Sequence, residues 1–408
     1  MLQGFKNVGP ILRAMMRNKI RVFLLAVEIA VTVAVVLNCS LLILQQLETI
    51  RRPTGIVEDE LIAVVLRPYG ASFTDAEFRR QTVDQDLEAI RALPGVVAAT
   101  PISNFPLIGG GSALQARPLG GDDSQLVRAP QYSATPGFLE TLGLDLVAGR
   151  RLTDADLPVG QGAQSLNVMV TQELADALFP DGDALGQTID TGSAEFPDVI
   201  VGIVSPMFTP YGGGPMETRI MFFPGRPSSA QRAQYLVRAE PGAYDDVFRD
   251  LDATFLKVQP ERLVTVRTMD DIRAGGFLQN VLLAVLFSGV AILLIFVTGL
   301  GIFGVTAFAV AKRTKQIGTR RALGATKDAI LSHFLIENTL ITLVGLAVGL
   351  VAAFGLNVIM VSGAGAPRLG PGVALIGAAS LWVLVMLATW FPARRASALA
   401  PALATRTV

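Results

Sequence analysis

The apolar residues of this chain are gathered into four long runs rather than spread in short periodic stretches. Residues 22–44 contain one acidic residue, Glu28, and residues 274–311 contain no charged residue. Residues 334–366 hold a single acid, and residues 369–393 hold no charge. A helix needs about 20 apolar residues to cross the hydrocarbon core of a bilayer. The pattern therefore predicts four transmembrane helices.

Between the first and second runs the pattern changes to short strands and amphipathic helices. Residues 74–96 are typical of a helix, with Thr74 as its N-cap, Glu77 completing a capping box and Pro94-Gly95 as its stop. The order strand, helix, strand occurs twice, which predicts two βαβ-like units. The predicted strands of these units are 60–68, 96–101, 234–239 and 262–268, and the second helix is 243–258.

An inserted segment, about 103–233, is rich in Gly and Pro and predicts a β-rich subdomain with strands at 167–171, 198–204 and 218–224. The predicted fold class is therefore an α-helical membrane protein with four transmembrane helices and a large α/β extracytoplasmic domain. That domain comprises two βαβ-like units with the insertion and lies between the first and second helices.

Charge distribution predicts the orientation. Only 17% of the 408 residues are charged, against about a quarter in soluble proteins. Residues 1–21 contain five cations and no acid, and residues 312–330 contain six cations. Short basic segments stay on the cytoplasmic side, so both termini and this loop are expected inside. Residues 45–277 contain 19 Lys or Arg and 31 Asp or Glu, a net charge of −12, and are expected outside.

These patterns divide the chain into nine consecutive segments. They are a cytoplasmic amphipathic segment 1–21, helix 1 at 22–45, the periplasmic domain 46–277, helix 2 with a stalk at 278–311, a cytoplasmic coupling helix 312–328, helix 3 at 329–357, a short periplasmic loop 358–371, helix 4 at 372–392 and a cytoplasmic tail 393–408. The stalk is expected because a continuous helix over 274–311 is longer than a span needs. The alternative is a break near Gly275-Gly276.

The chemistry-bearing residues argue against an enzyme. The single cysteine, Cys39, lies in the first apolar run, and the single histidine, His333, lies at the cytoplasmic edge of the third span, so the outer domain has neither for nucleophilic or zinc chemistry. The sequence contains no G-x-x-x-x-G-K-[ST] motif. We expect no catalytic, cofactor-binding or metal-binding residues in this chain.

The basic loop predicts a short helix followed by a sharp turn. Ile317 and Leu323, with the Ala and Gly positions, form a thin apolar face, and cations cover the rest. Gly324 is placed to end the helix in the left-handed conformation. Thr326 is then the N-cap of the third span. On charge alone, the cations are better explained by membrane topology and contact with anionic lipid than by docking of a partner.

Two intramembrane acids, Glu28 and Glu337, lie near the predicted cytoplasmic ends of their spans. Buried acids often mark functional sites, but here they can pair with nearby cations, and a structural role is preferred over a proton or substrate path. The candidate partners are Arg17, Lys19, Arg21 and Lys327. Gly345 and Gly349 form a Gly-x-x-x-Gly pattern suited to close helix packing.

Several segments, in the same order, resemble MacB-like ABC transporter permeases. "SATPGFLETLGLDLVAGRRLTDAD" (133–156) and "VMVTQELADALFPDGDALGQTI" (168–189) resemble the periplasmic domain of that family. "MRNKIRVFLLAVEIAVTVAV" (16–35), "GTRRALGATKDAILSHFLIEN" (318–338) and "FPARRASALAPALA" (391–404) resemble its first span, its second-to-third connection and its end. The family includes relatives of lipoprotein-releasing and FtsX-like permeases.

The resemblance implies a dimeric permease whose coupling helix docks an ATPase subunit. The residues that carry the docking motif are Arg313, Ile317, Gly318, Arg320, Arg321, Ala322, Leu323, Gly324 and Ala325. It also implies the bacterial inner membrane, ATP and Mg on the partner ATPase, and export of a substrate through motion of the periplasmic domain. A second permease subunit, a periplasmic adaptor and an outer-membrane channel are further implied partners. The alternatives are a lipoprotein-releasing permease and an FtsX-like signalling scaffold.

Overall fold

The computed structural model describes residues 19–108, 110–158, 164–192, 195–211, 214–364 and 366–397. The chain divides into two units. The large domain comprises Arg51–Gln279, and the helical unit comprises the segments before and after it, Met1–Ile50 and Asn280–Val408.

A four-stranded antiparallel sheet forms one half of the large domain. Its strands are β1 (Leu61–Pro68), β2 (Val96–Pro101), β10 (Ala233–Ala239) and β11 (Arg262–Thr268), in the order β11-β1-β10-β2. Because β1 and β2 both run antiparallel to β10, they are parallel to each other and separated by it. Each predicted βαβ-like unit is therefore a split one, with a strand of the other unit between its two strands.

Two helices, α2 (Ala76–Arg91) and α5 (Tyr244–Val258), cover one face of this sheet around Tyr235 and Phe255. The predicted N-cap of α2 is wrong. Asp75 caps the helix, because its Oδ1 accepts from the backbone N–H of Glu77 (2.7 Å) and Phe78 (3.0 Å). Thr74 instead ends a preceding 3₁₀ turn and donates to the carbonyl of Ala71 (2.7 Å). The hydrogen bonds from these two backbone amides lower the pKa of the Asp75 carboxyl group.

The segment between β2 and β10 forms a seven-stranded mixed sheet in the order β5-β8-β6-β9-β4-β3-β7. Its elements are β3 (Ser112–Pro118), β4 (Val127–Ala134), α3 (Phe138–Leu142), β5 (Leu146–Gly149), β6 (Asn167–Thr171), α4 (Gln172–Leu178), β7 (Thr188–Asp190), β8 (Asp198–Val204) and β9 (Met221–Pro224). The prediction of β6 and β8 is confirmed to the residue, whereas the predicted strand 218–224 begins three residues before β9.

One hydrophobic core joins the two sheets. Leu61, Ala63 and Leu236 from the four-stranded sheet pack in the same cluster as Met169 and Phe222 from the seven-stranded sheet. Every member of this cluster is at least nine-tenths buried. The inserted strands therefore share a core with the four-stranded sheet in the large domain.

Within its described residues, the helical unit has four helices long and apolar enough to cross a membrane. They are α1 (Lys19–Arg51), α7 (Leu278–Lys312), α9 (Lys327–Ala364) and α10 (Pro371–Ser397), with the short α8 (Thr314–Ala322) between α7 and α9. The long helix expected over 274–311 is interrupted, because α6 (Met269–Gly276) ends before α7 begins, as in the alternative with a break at the glycine pair. Even so, the 35 residues of α7 extend about 52 Å, well beyond the ~30 Å of a bilayer core.

Close contact between α1 and α9 depends on two glycines. A Cβ added at Gly345 would lie 2.9 Å from the side chain of Ile29, and one at Gly349 would lie 2.8 Å from the carbonyl oxygen of Ala30. The predicted small-residue pattern thus faces α1, where the backbones of the two helices approach.

A buried asparagine pair joins α1, α9 and the turn before α10. Asn38 Nδ2 donates to the carbonyls of Ala34 (2.8 Å) and Ala353 (3.1 Å). Asn357 Nδ2 donates to Asn38 Oδ1 (3.3 Å) and to the carbonyl of Pro367 (3.0 Å). Asn357 Oδ1 accepts from the backbone N–H of Leu369 (2.8 Å). Asn357 therefore satisfies two backbone groups outside the helices, the carbonyl of Pro367 and the N–H of Leu369.

Candidate functional site

The short basic helix α8 is fixed to the helical unit at three successive turns. Arg313, its N-cap, pairs with Glu337 of α9 (3.1 Å). One turn later Ile317 is buried in a small cluster with residues of α9 and α10. One turn further, Arg321 Nη1 donates to the carbonyl oxygen of Ser397 in α10 (2.6 Å). Since these residues are four apart, one face of α8 is committed to its own unit.

The left-handed glycine stop predicted after this helix is confirmed. Gly324 has φ +95°. Its N–H donates to the carbonyl of Arg321 (3.1 Å), and the N–H of Ala325 donates to that of Arg320 (3.0 Å), which is the Schellman arrangement. Thr326 then caps α9, because its Oγ1 accepts from the N–H of Ala329 (3.2 Å). The chain reverses here with its backbone groups paired.

The outward face of α8 differs from the predicted apolar face. Ile317 is 5% exposed and Leu323 is 83% exposed, so the two side chains lie on different sides. The prediction of one shared apolar face is wrong, because helix geometry separates residues six apart. Leu323 instead lies at the end of an outward surface formed with Arg320 and Ala322. We call Lys315, Gln316, Thr319, Arg320, Ala322 and Leu323 the outer face of α8; all are exposed.

The residues predicted for docking therefore divide into two groups. Arg320, Ala322, Leu323 and Gly324 are exposed, and Ala325 is partly exposed. The inward-facing group, Arg313, Ile317, Gly318 and Arg321, is occupied within the helical unit.

Glu337 brings three helical segments together. Its carboxylate, 4% exposed, pairs with Arg21 of α1 (3.3 Å) as well as with Arg313. Arg21 was among the candidate partners; Arg313 was not, and Arg17 lies outside the described residues. Arg21 Nε and Nη2 are buried and have no hydrogen-bond partner in the part of the chain that the structure describes. One carboxylate thus serves two guanidinium groups, and the role of this cluster stays a prediction.

Glu28, the second intramembrane acid, lies against α7. Its carboxylate fills the space beside Gly301, where any Cβ would clash with it. The structure thus places the two acids in different surroundings. Glu337 is in an ion cluster, whereas Glu28 rests against a glycine backbone. The preferred structural role of Glu28 remains a prediction.

Sequence reasoning missed the anchor between Arg321 and Ser397. The acceptor is a backbone carbonyl 76 residues away, and a carbonyl carries no residue-specific signal. The Arg313 pairing, by contrast, was accessible, because an arginine directly after an apolar run can reach an acid two turns into the next span.

The large domain contains an ion pair in which both side chains are almost completely buried. Asp86 and Arg262, each 1% exposed, form a double hydrogen bond (2.6 and 2.6 Å), and Tyr235 donates to the same carboxylate (2.8 Å). Burial and the Asp86 carboxylate raise the pKa of Tyr235, which keeps its hydroxyl protonated. Among the residues that the structure describes, no group of three or more His, Cys, Asp or Glu is placed to hold a metal ion.

Two family models match the chain. Residues 27–254 match the MacB-like periplasmic core domain, and residues 288–401 match the FtsX-like permease C-terminal domain. With four helices able to span a membrane and a large mixed α/β domain between the first two, the architecture is that of an ABC transporter permease. The chain belongs to the MacB-like family of these permeases.

Similar proteins differ in length from this chain. The macrolide export ATP-binding/permease protein MacB of Shewanella oneidensis is 26% identical over 408 residues, covering 96% of this chain and 58% of that protein. The uncharacterized ABC transporter permease YknZ of Bacillus subtilis is 26% identical over 282 residues, 66% of this chain and 68% of that protein. The periplasmic region of MacB from Actinobacillus actinomycetemcomitans aligns at 16% identity with a TM-score of 0.36, covering 56% of this chain and 96% of that structure.

Proposed function

We propose that this chain is the transmembrane subunit of an ABC transporter and that a separate ATPase subunit docks on the outer face of α8. The observation that carries the proposal is Leu323, a large apolar side chain 83% exposed at the end of a basic helix. An apolar group surrounded by polar ones at the rim of a helical bundle is typical of a protein contact. The family relationship supplies the class of partner.

The anchoring of α8 supports a role in transmitting motion. Its inward side is held by the Arg313–Glu337 ion pair, by Ile317 and by the Arg321 bond to α10. A push on the outer face is therefore passed to α9 and α10 rather than absorbed by a loose loop. We propose that ATP-driven closure of the ATPase pair moves these helices, and through them the large domain, to export a substrate.

The same proposal places both termini and α8 in the cytoplasm and the large domain in the periplasm. The basic segments of the helical unit and the net charge of −12 on residues 45–277 support this orientation. In this proposal the ATPase subunit binds the ATP and Mg, since these 408 residues themselves contain no Walker loop to do so. A second permease subunit, and a periplasmic adaptor with an outer-membrane channel, complete the proposed assembly.

A lipoprotein-releasing permease and an FtsX-like scaffold share the docking step and differ in what the large domain does. The seven-stranded insertion, which enlarges this domain to Arg51–Gln279, favours handling of a substrate.

The test is Leu323→Glu in the full chain, reconstituted in lipid nanodiscs with the ATPase subunit of its host. We expect recruitment of the ATPase to weaken by about tenfold or more, since a charge replaces the apolar contact of the proposed interface. Leu323→Met keeps size and apolarity and is the matched control. ATP hydrolysis is measured alongside recruitment, and the permease alone is expected to show none.

Gly324→Val tests the turn separately. No atom lies within 4 Å of a Cβ added there, so the substitution acts through the positive φ of +95° rather than through a clash. We expect normal membrane insertion with reduced coupling between ATP hydrolysis and transport. The docking proposal is contradicted if Leu323→Glu recruits the ATPase normally and Gly324→Val couples ATP hydrolysis to transport normally.

A further inference from the structure

The four-stranded sheet of the large domain has an open edge. β11 pairs with β1 on one side only, and no strand pairs with its other side in the described part of the chain. From Leu263 onward, exposed and partly buried residues alternate along β11, and Leu263, Thr265 and Arg267 are exposed on one face. Leu263 is 63% exposed. An edge strand with free backbone groups is a template for another strand unless something blocks it.

Three arginines, Arg67, Arg232 and Arg267, lie on the same face of the sheet as Leu263 and Thr265. Leu263 is the cross-strand partner of Arg67 in β1, so their side chains lie on the same face. Leu66 pairs with Ala233, which places Arg232 opposite Arg67 at the start of β10. Arg67, Arg232 and Arg267 are all exposed. We call these three arginines, with Leu263 and Thr265, the basic edge face.

The basic edge face is not neutralised by its surroundings. None of its arginines forms an ion pair with a residue that the structure describes, and Arg232 Nη2 donates to the neutral amide oxygen of Gln234 (2.7 Å). Glu261 lies on the same strand face, but its carboxylate packs against Gly70. Burial, and then Arg67 and Arg267, lower the pKa of Arg232, so the three cations are close enough to repel one another.

Such a cluster is unusual for this domain. Residues 45–277 carry a net charge of −12, and most arginines with acidic neighbours pair with them, as Arg238 does with Glu60 (2.7 Å). A single charge on an edge strand suffices to discourage aggregation. Arg67 and Arg232 are not on the edge strand, so protection of the edge does not account for them.

We propose that the basic edge face binds an acidic, extended segment of a partner protein, which adds to β11 as a further strand. Backbone groups of β11 would supply the hydrogen bonds, Leu263 an apolar contact, and the three arginines the charge complement. An acidic segment is indicated because the patch presents three unpaired cations. A strand is indicated because the free edge and the cations are contiguous on the same sheet.

The test measures binding of a fluorescent peptide of about ten alternating Val and Glu residues. The full chain is held in nanodiscs of neutral lipid, and binding is followed by fluorescence anisotropy. We expect saturable binding that weakens with salt, because exposed charges are screened. We expect the triple variant R67E/R232E/R267E to bind about tenfold more weakly or worse, and a Val and Lys peptide not to bind.

Two controls make the result specific. Arg249→Glu reverses an exposed arginine on α5, which pairs with Asp246 (3.0 Å), and should bind the peptide as the unchanged chain does. A peptide methylated at its backbone nitrogens keeps its charge but cannot pair along β11, and should bind about tenfold more weakly. Hydrogen exchange of β1 amides checks that the triple variant is folded.

Equal binding by the triple variant, or no binding by the unchanged chain, overturns the proposal. Unimpaired binding of the methylated peptide overturns strand addition. Capture of phosphatidylglycerol vesicles without peptide binding assigns the basic edge face to an anionic lipid surface and overturns the protein partner.

Discussion

Asp86 in the large domain and Glu337 in the helical unit are both buried carboxylates paired with arginine, but their surroundings differ. Asp86 receives two bonds from one Arg262 at 2.6 Å and a third from Tyr235. Arg262 uses its remaining N–H groups on the carbonyls of Phe255 and Gln259. Every group in that cluster is satisfied at short distance. The cluster therefore holds β11, β10 and α2 in one arrangement.

Glu337 is shared instead. It pairs with Arg21 at 3.3 Å and Arg313 at 3.1 Å, and two buried nitrogens of Arg21 have no partner among the described residues. One carboxylate pairs with two cations, and the three groups come from separate helical segments. The contrast predicts that the Asp86 cluster fixes the large domain, whereas the Glu337 cluster permits rearrangement in the helical unit.

The largest effect is expected for Asp86→Asn. Removing the charge leaves Arg262 buried at 1% exposure, and breaking such a pair from one side costs about 3–5 kcal/mol of unfolding free energy. Hydrogen exchange of β10 and α2 amides in the full chain measures it. Arg249→Gln removes a pair whose side chains are 71% and 75% exposed and is expected to change little. If the two substitutions lower the unfolding free energy by similar amounts, the Asp86 cluster does not fix the large domain as the comparison requires.

Compared with Asp86→Asn, Glu337→Gln is expected to lower the unfolding free energy less and to reduce the coupling of ATP hydrolysis to transport more. The side chains of Arg21 and Arg313 are 17% and 21% exposed and can shift toward the interface, so we expect a loss of about 1–3 kcal/mol. Thermal unfolding in nanodiscs gives the stability, and ATPase-driven transport gives the coupling. The double variant R313Q/E337Q shows whether Arg313 is the coupled partner. A loss as large as that of Asp86→Asn, with normal coupling, argues that Glu337 is only structural.

A smaller, pH-dependent effect is expected at Asp156 in the large domain. Its carboxylate accepts two bonds from Arg150 (2.7 and 2.7 Å) and others from Thr153 and Asn167. The Arg150 bonds hold the pKa of Asp156 well below its usual range. A carboxyl group whose pKa is lower in the folded state stabilises the folded protein at pH values above its unfolded-state pKa, about 3.9. That stabilisation is lost as the pH falls below this value.

The comparison of the unchanged chain with Asp156→Asn checks this sign. We expect a difference in unfolding free energy of about 1–2 kcal/mol at neutral pH, since Arg150 is half-exposed and partly screened, and a smaller difference near pH 3. A difference that grows as pH falls contradicts the assignment.

Local chemistry explains which features were predictable. The continuous apolar runs of β6 and β8 and the glycine turn at Gly324 depend on nearby residues, so the sequence predicts them. β3 reads "SALQARP", with its polar residues too frequent for a strand signal, and it acquires strand structure only by pairing with β4. Two other features depend on segments far apart in the chain, which no local pattern encodes. They are the hydrogen bond from Arg321 to Ser397 and the pairing of Glu337 with two arginines.

The asparagine pair has a consequence for biosynthesis. Asn38 is made early, but its partners at Ala353 and Asn357 follow more than 300 residues later. At roughly 5–20 residues per second, the ribosome needs about 15–60 s to supply them. During that interval Asn38 has its own helix carbonyl at Ala34 as an acceptor (2.8 Å), so the first span can reside in the bilayer alone. When the third span is inserted, its Ala353 and Asn357 complete the hydrogen bonds of the Asn38 side chain. The helices therefore assemble in the order in which they are synthesised.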